Sequence, residues 1–462
     1  MRVIRIQGGF RRTIIAAGLV VFPIVALLYA LMGAMGEGRA SVAERIAGPA
    51  QSSLDSAATK SGEYPSAQEE LVTAKPPASS EAVPKGSGPA SLPVPSSRSS
   101  IAADPPALPK KRINSIGDRI IKGVYIPFFA IPHPGMRDHV FKLLESTEIN
   151  AVVMDVKGDR GWVAYPSSVP LAKEVAQGQI TMPDVDSLIA HFGERGVYPI
   201  ARIVVFKDNP LAKAHPDLAV KDSTGGLWID SEGLAWTDPF NEKVWEYNVE
   251  IAKETALLGF REIQFDYIRF PTDGYVSRAV YSKASTPESR IAAISGFLAL
   301  ARRELEPLGV KVAMDTFGYT TWRDDDMGIG QQLEALAPYL DVLSPMLYPS
   351  TYADGIPGIQ DPVAHPYEIV YESALRAVRR VEGAGVEVRP WIQGFRDYAF
   401  DRRDYGAAEM KAQEKAAYDS GSTGWMVWDP WVAYPAAAFD PPSAEDELPP
   451  WSVPWLMPSG DI

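Results

Sequence analysis

The chain has 462 residues, 46% of them hydrophobic and 22% charged, which is enough to bury a large core. Its 45 lysines and arginines stand against 58 aspartates and glutamates, and a net charge of −13 repels a phosphate backbone, which argues against a nucleic-acid ligand. There is no cysteine, so disulfides, thiolate metal sites, a cysteine nucleophile and a lipid-modified cysteine anchor are all excluded.

No charged residue occurs over residues 13–35, a length that crosses a bilayer as one helix, with Pro23 a tolerable kink. Arg2, Arg5, Arg11 and Arg12 precede this run, so the positive-inside rule predicts a cytoplasmic N-terminus and a signal anchor over residues 1–36, with everything after Gly36 exported. Ala34 and Gly36 have a cleavage-like spacing that would suit a removable signal peptide, but the apolar run exceeds most signal cores, which favours an uncleaved membrane anchor. Residues 37–112 are rich in Pro, Ser, Ala and Gly and almost without aromatics. They cannot bury enough surface to offset their chain entropy and read as a disordered tether.

Over residues 113–462 the pattern changes to short apolar runs alternating with amphipathic stretches, the mark of β/α units around a parallel sheet. Strands are predicted at 123–128, 151–156, 198–205, 262–268, 311–316, 341–347, 387–393 and 424–428, with helices at 138–146, 184–195, 239–258, 288–306, 367–382 and 407–420. Asp238 followed by Pro239 reads as a helix N-cap with proline at the first helical position, and Gly196, Gly259, Gly309 and Gly385 fall just past helix ends. Eight alternating units predict an α/β fold, a (β/α)₈ TIM barrel, and no Gly-x-Gly-x-x-Gly follows the first strand to favour an open dinucleotide-binding sheet.

In such a barrel the reacting groups stand at the C-terminal ends of the strands. Strand alternation turns Gln264 and Asp266 inward and leaves Ile263, Phe265 and Tyr267 to face helices; it likewise turns Asp155, Lys157 and Asp315 inward. Arg202, Tyr348, Gln393 and Trp428 share that inward parity, giving a polar, aromatic-walled cup suited to a sugar. Two carboxyl groups flanking a bond are the minimum for glycoside hydrolysis; Asp266 and Asp315, on successive strands, are the simplest pair, with Asp155 a third candidate. The competing reading is structural, with Asp155 paired to Lys157 or Arg202, Asp266 paired to Arg202, and Arg269 anchoring the fourth loop rather than binding substrate. Trp228, Asp230, Trp236 and Asp238 in the loop after the third strand, like Asp273 and Tyr275 after the fourth, are rim residues; the tryptophans either stack on sugar rings or pack a hairpin around Gly225, Gly226 and Gly233. The five histidines show no ligand spacing, and phosphate-loop and Gly-x-Ser-x-Gly motifs do not occur, so neither metal nor cofactor is expected.

The run Gln264-Phe265-Asp266-Tyr267-Ile268-Arg269-Phe270-Pro271 stands with Val153-Met154-Asp155-Val156-Lys157-Gly158-Asp159, Trp236-Thr237-Asp238-Pro239 and Trp425-Met426-Val427-Trp428-Asp429. Together they resemble a bacterial glycoside-hydrolase family first catalogued as a domain of unknown function, DUF4015, and the resemblance covers nearly everything after Gly123. It implies a (β/α)₈ barrel similar to amylase-like and related polysaccharide-active enzymes, with an aspartate ending the fourth strand as the key carboxylate, a role that falls on Asp266. The resulting expectation is an O-glycosyl hydrolase, anchored in the cell membrane by a single span with its barrel on the extracytoplasmic side. It would cleave a cell-envelope or extracellular polysaccharide with Asp266 as nucleophile or base and Asp315 or Asp155 as acid. A non-catalytic glycan-binding barrel serving as an envelope scaffold is the alternative, and a transglycosylase a third reading. The acidic rim favours a neutral or cationic sugar over a strongly anionic one.

Overall fold

Eight parallel strands close on themselves within residues 119–451, the part of the chain that the computed structural model describes. They are β1 (Ile121–Ile126), β2 (Ala151–Lys157), β3 (Tyr198–Val204), β4 (Glu262–Asp266), β5 (Lys311–Phe317), β6 (Val342–Met346), β7 (Glu387–Val388 and Trp391–Gln393) and β8 (Gly424–Trp428). Each pairs with its neighbours in chain order; β8 returns to β1 through Ile121 opposite Gly424, and β7 joins β6 to β8 through Trp391, opposite Met346 on one side and Met426 on the other. The seventh strand breaks at Arg389-Pro390, where proline lacks the N–H that a continuous ladder needs.

Around the strands lie α1 (Pro134–Ser146), α2 (Val185–Glu194), α3 (Glu242–Leu257), α4 (Pro287–Leu305), α5 (Leu333–Leu336), α6 (Pro366–Arg380) and α7 (Ala407–Asp419). Gly196, Gly259, Gly309 and Gly385 take φ of +66°, +105°, +69° and +73°, the left-handed conformation expected of residues that stop helices. Asp238 is not the N-cap of α3. Asn241 is, its side chain accepting from the Lys243 N–H, while Asp238 accepts from Phe240 N and from Ser282 N at 2.6 Å and so ties two loops together. The apolar segment and tether predicted over residues 1–112 lie outside the described residues, and no described helix is long and apolar enough to cross a membrane.

Alternation along the strands sorts the apolar side chains into two cores. Val152, Met154, Ile263, Phe265, Val312 and Met314 face the helices, with Phe265 edge-on to Phe297 of α4 at 5.0 Å between centroids. Tyr125, Val153, Ile200, Trp391 and Met426 fill the lumen. The lumen also holds polar groups in layers. Gln264 donates to Ser344 Oγ at 3.2 Å, and at the bottom Arg389 Nη1 meets both oxygens of Glu262 at 2.9 Å, all four side chains fully buried. Leu448 plugs the lower end, passing so close that a Cβ on Gly196 would lie 2.0 Å from its carbonyl oxygen. This lower seal leaves the strand C-termini as the open end.

Candidate active site

Arg202 of β3 organises the open end. Its Nη1 donates to Asp155 Oδ1 at 2.6 Å, its Nε and Nη2 to Asp266 Oδ2 at 3.0 and 2.6 Å, and Nη2 also to Asp159 Oδ1 at 2.8 Å. The pairing of β2, β3 and β4 explains the convergence, because Asp155 lies directly opposite Arg202 and Asp266 two residues beyond the Gln264 that Arg202 faces on the other side. Asp266 is further fixed by the N–H of Tyr267, which reaches Oδ1 at 2.6 Å. Tyr267 has φ +49°, a conformation that costs a non-glycine residue on the order of 1 kcal/mol or more and that ends the strand. The alternation therefore stops at Asp266. Tyr267, expected to face helices, instead lines the cavity, edge-on to Trp236.

Asp315 comes from β5, whose Met314 faces Phe265, so the two carboxylates lie on neighbouring strands at the same level. Its Oδ1 accepts from Trp391 Nε1 at 2.8 Å. Burial pushes the Asp315 carboxyl well above the usual range, the negative charge of Asp266 adds to this, and Arg202 offsets it only in part. Asp155 behaves differently. Burial raises it to about 6 against the pull of Arg202, and its Oδ2 accepts from Tyr125 OH at 2.5 Å.

The cavity above these groups encloses about 1500 Å³, counting the space at its mouth. Its walls divide by strand. The arc from β6 through β7 and β8 to β1 supplies Tyr348, Trp391, Phe395, Tyr398, Trp428 and Tyr125, with Trp428 stacked on Tyr125 at 3.7 Å and 14°. The arc from β2 to β5 supplies the charged groups Asp159, Arg202, Lys207, Glu232, Asp266, Arg269 and Asp315, with Trp236, Tyr267, Phe317 and Tyr319 set among them. An aromatic platform facing a wall that mixes charged and aromatic groups suits a ring with one hydrophobic face and an edge of hydroxyls.

Of the residues predicted for the site, Asp266, Asp315, Arg202, Arg269, Tyr348 and Trp428 line this cavity. Three do not. Lys157 is turned away because the β2–β3 register slips between Asp155 and Lys157, adding one residue and reversing the parity. It lies behind the sheet with no exposure, paired to Asp208 at 2.7 Å and donating to Val204 O and to Asn248 Oδ1 of α3. Gln393 is inward but spent on structure, donating to Ser350 Oγ and Phe395 O and accepting from Ser350 N, so that it clasps the loops after β6 and β7. Asp155 sits beneath Arg202, outside the cavity wall, where it supports the guanidinium rather than meeting a ligand.

Sequence reasoning gave no role to Asp159, Lys207, Glu232, Tyr125 or Trp391. Trp391 shares the parity of Gln393, so the alternation rule could have found it. Glu232 belongs to a loop without periodicity; its Oε1 meets Lys207 Nζ at 2.8 Å. Both rim tryptophans are buried among the loops that carry them. Trp228 is buried with its Nε1 on Tyr275 O, whereas Trp236, held by Asp230, reaches the cavity wall. Among the described residues no group of three or more acids or histidines is arranged to hold a metal ion.

Residues 123–434 match the model of the DUF4015 family, whose description is "Putative glycosyl hydrolase domain". A hypothetical protein from Ruminiclostridium thermocellum ATCC 27405 is 36% identical, with 42% of this chain and 96% of that one covered at a TM-score of 0.37. The PgaB (BpsB) glycoside hydrolase domain from Bordetella bronchiseptica is 15% identical over 70% of this chain and 99% of its own, with a TM-score of 0.51, which shows the same barrel fold. No curated protein matches the chain. The family match spans most of the described barrel, every residue on its charged arc included, and the chain belongs to the DUF4015 family of glycosyl-hydrolase-type (β/α)₈ barrels.

Proposed function

We propose that the protein is an O-glycosyl hydrolase that cleaves a cell-envelope or extracellular polysaccharide, with Asp315 as the proton donor and Asp266 as the nucleophile or base. One observation carries the reading: two carboxyls at the same level of adjacent strands open into one cavity, one tied to Arg202 and the other raised by burial. Asp266 is held by Arg202, while burial and the charge of Asp266 raise the affinity of Asp315 for its proton. An acid that stays protonated can deliver its proton to the leaving oxygen while the salt-bridged carboxylate attacks the anomeric carbon or activates water. Arg202 and the Tyr267 N–H fix both oxygens of Asp266, and the Trp428–Tyr125 stack offers a platform for a sugar face. Asp155 acts through Arg202 and is a positioning residue. The test is product release from a panel of envelope polysaccharides. Wild type should shorten one of them, and Asp266→Asn and Asp315→Asn should each slow cleavage by about 10²- to 10⁴-fold while still binding it; full activity in either variant would refute the assignment.

The second reading, a non-catalytic glycan-binding barrel, draws on the engagement of Asp155, Asp159 and Asp266 by one arginine. It predicts binding unaffected by Asp266→Asn and no product on long incubation with wild type. We further propose that the barrel is anchored outside the cytoplasmic membrane, a reading supported by the uncharged residues 13–35 behind four arginines. Detergent-dependent extraction of the full chain, abolished when residues 1–36 are deleted, would bear on it directly.

A further inference from the structure

Three cations stand on the cavity wall, and one of them differs from the others. Arg202 is bound to three carboxylates and Lys207 to Glu232. Arg269 has no carboxylate within ion-pair distance among the described residues, although it is only 7% exposed. Its Nη1 donates to Phe270 O at 3.1 Å and to Thr272 Oγ1 at 3.2 Å, which leaves most of its five N–H donors without a protein anion to meet. Three rings surround it, with the guanidinium carbon 4.7 Å from the centroid of Phe317 and 5.0 Å from those of Trp236 and Tyr267. Such a cage stabilises a cation from its faces, but it offers no acceptors in the guanidinium plane. Burial pulls Arg269 below its ordinary value, which Tyr267 and the acids Asp273 and Asp266 offset only in part. An arginine keeps its proton regardless. The site thus holds a desolvated positive charge whose planar donors match a carboxylate.

The balance of the remaining wall agrees. Asp159 and Asp266 face Arg202, Glu232 and Asp230 face Lys207, Asp273 accepts from Ser231 Oγ, and Asp315 accepts from Trp391 Nε1. The acids on the wall therefore each have a partner already, while Arg269 is the wall cation left without a carboxylate among the described residues.

We propose that Arg269 is a specificity-determining residue that binds a sugar carboxylate, so that the substrate is an acidic polysaccharide. The carboxylate would come from a uronic acid or from a lactyl ether on the ring. This reverses the preference for neutral or cationic sugars drawn from the rim's composition, and it rests on the reading of the cavity as a glycan site. Arg269 follows Asp266 by three residues, and its Phe317 wall follows Asp315 by two, so the bound carboxylate belongs to a sugar at or beside the scissile bond.

The test uses the full chain carrying Asp315→Asn, which suppresses turnover. Calorimetry would compare oligogalacturonate and muramyl-containing glycan strands with the same materials after reduction of their carboxyls to alcohols. One native ligand should bind about tenfold to a hundredfold more tightly than its reduced form, and which one identifies the source of the carboxylate. Arg269→Gln should erase the preference and Arg269→Lys should keep part of it. Should Arg269→Gln fail to fold, the native-to-reduced ratio and the Arg269→Lys variant still decide. Equal binding of native and reduced forms, no binding of either, or a preference that survives Arg269→Gln would overturn the proposal. Product formation by wild type is scored separately. Cleavage without carboxylate preference refutes this inference alone, and preference without cleavage refutes the hydrolase reading alone.

Discussion

Arg389 at the floor of the lumen and Arg202 at its mouth are both buried arginines that meet carboxylates from neighbouring strands, yet the two arrangements differ in balance and in access. Arg389 faces both oxygens of Glu262, with Tyr198 OH 3.3 Å from one of them and neither partner exposed, and it also meets Glu387 at 3.4 Å, whose charge Lys311 balances at 2.6 Å. Arg202 faces Asp155, Asp159 and Asp266, and its group opens onto the cavity with Asp315 close enough for Asp266 to raise its pKa. A charge-balanced group at the sealed floor can only hold the barrel together, and removing Arg389 strands the buried charge of Glu262. A group with more acids than cations, opening onto an aromatic-walled cavity, raises the affinity of a buried carboxyl such as Asp315 for its proton. That condition is what an acid–base reaction uses.

The sharpest way to separate the two regions is by what their loss does. At the mouth, Asp315→Asn or Asp266→Asn should lower kcat on the cleaved polysaccharide by about 10²- to 10⁴-fold, read by product release, with cooperative unfolding preserved. At the floor, Arg389→Met should cost about 3–5 kcal/mol in chemical denaturation and leave the activity of the folded fraction intact. Glu262→Leu combined with Arg389→Met should recover most of that stability, and a double variant as unstable as the single one would break the comparison. Lys157→Met belongs with the floor, since Lys157 pairs with Asp208 behind the sheet and should affect stability, not kcat.

Protonation offers a finer test. Asp155 binds its proton more tightly folded, at about 6, than the ordinary 3.8, so its contribution to stability is complete below about pH 4 and is lost as pH rises through about 6. Urea denaturation from pH 4 to pH 7 should show that decline, worth about 1–3 kcal/mol, and Asp155→Asn should flatten it. The smallest effect is expected for Tyr125→Phe, which removes the hydroxyl donated to Asp155 but keeps the ring under Trp428. A loss of about 1–2 kcal/mol with glycan affinity unchanged would match.

Much of this was legible in the chain. The eight strands announced themselves because each is buried on both faces and therefore reads as a short apolar run. Asp266, Asp315, Arg202 and Trp428 were found because β3, β4, β5 and β8 keep strict alternation up to those residues. The failures mark where alternation ends. One extra residue in β2 carried Lys157 out of the lumen, and the left-handed backbone at Tyr267 turned a supposed outward residue into the cavity. Lys207 and Glu232 meet across a long loop, where no period predicts which side chains converge. Asp155 had the right parity, and its depth beneath Arg202 is a property of packing that parity does not carry.

The account stands or falls on the protonation of Asp315, which can be measured without a substrate. Carboxyl ¹³C NMR titration of aspartate-labelled protein, with Asp315→Asn to assign the resonance, should find Asp315 protonated well above the usual carboxylate range. Asp266→Asn should then bring its pKa down, because a like charge has been removed. An Asp315 that ionises in the ordinary range and does not respond to Asp266→Asn would contradict the account.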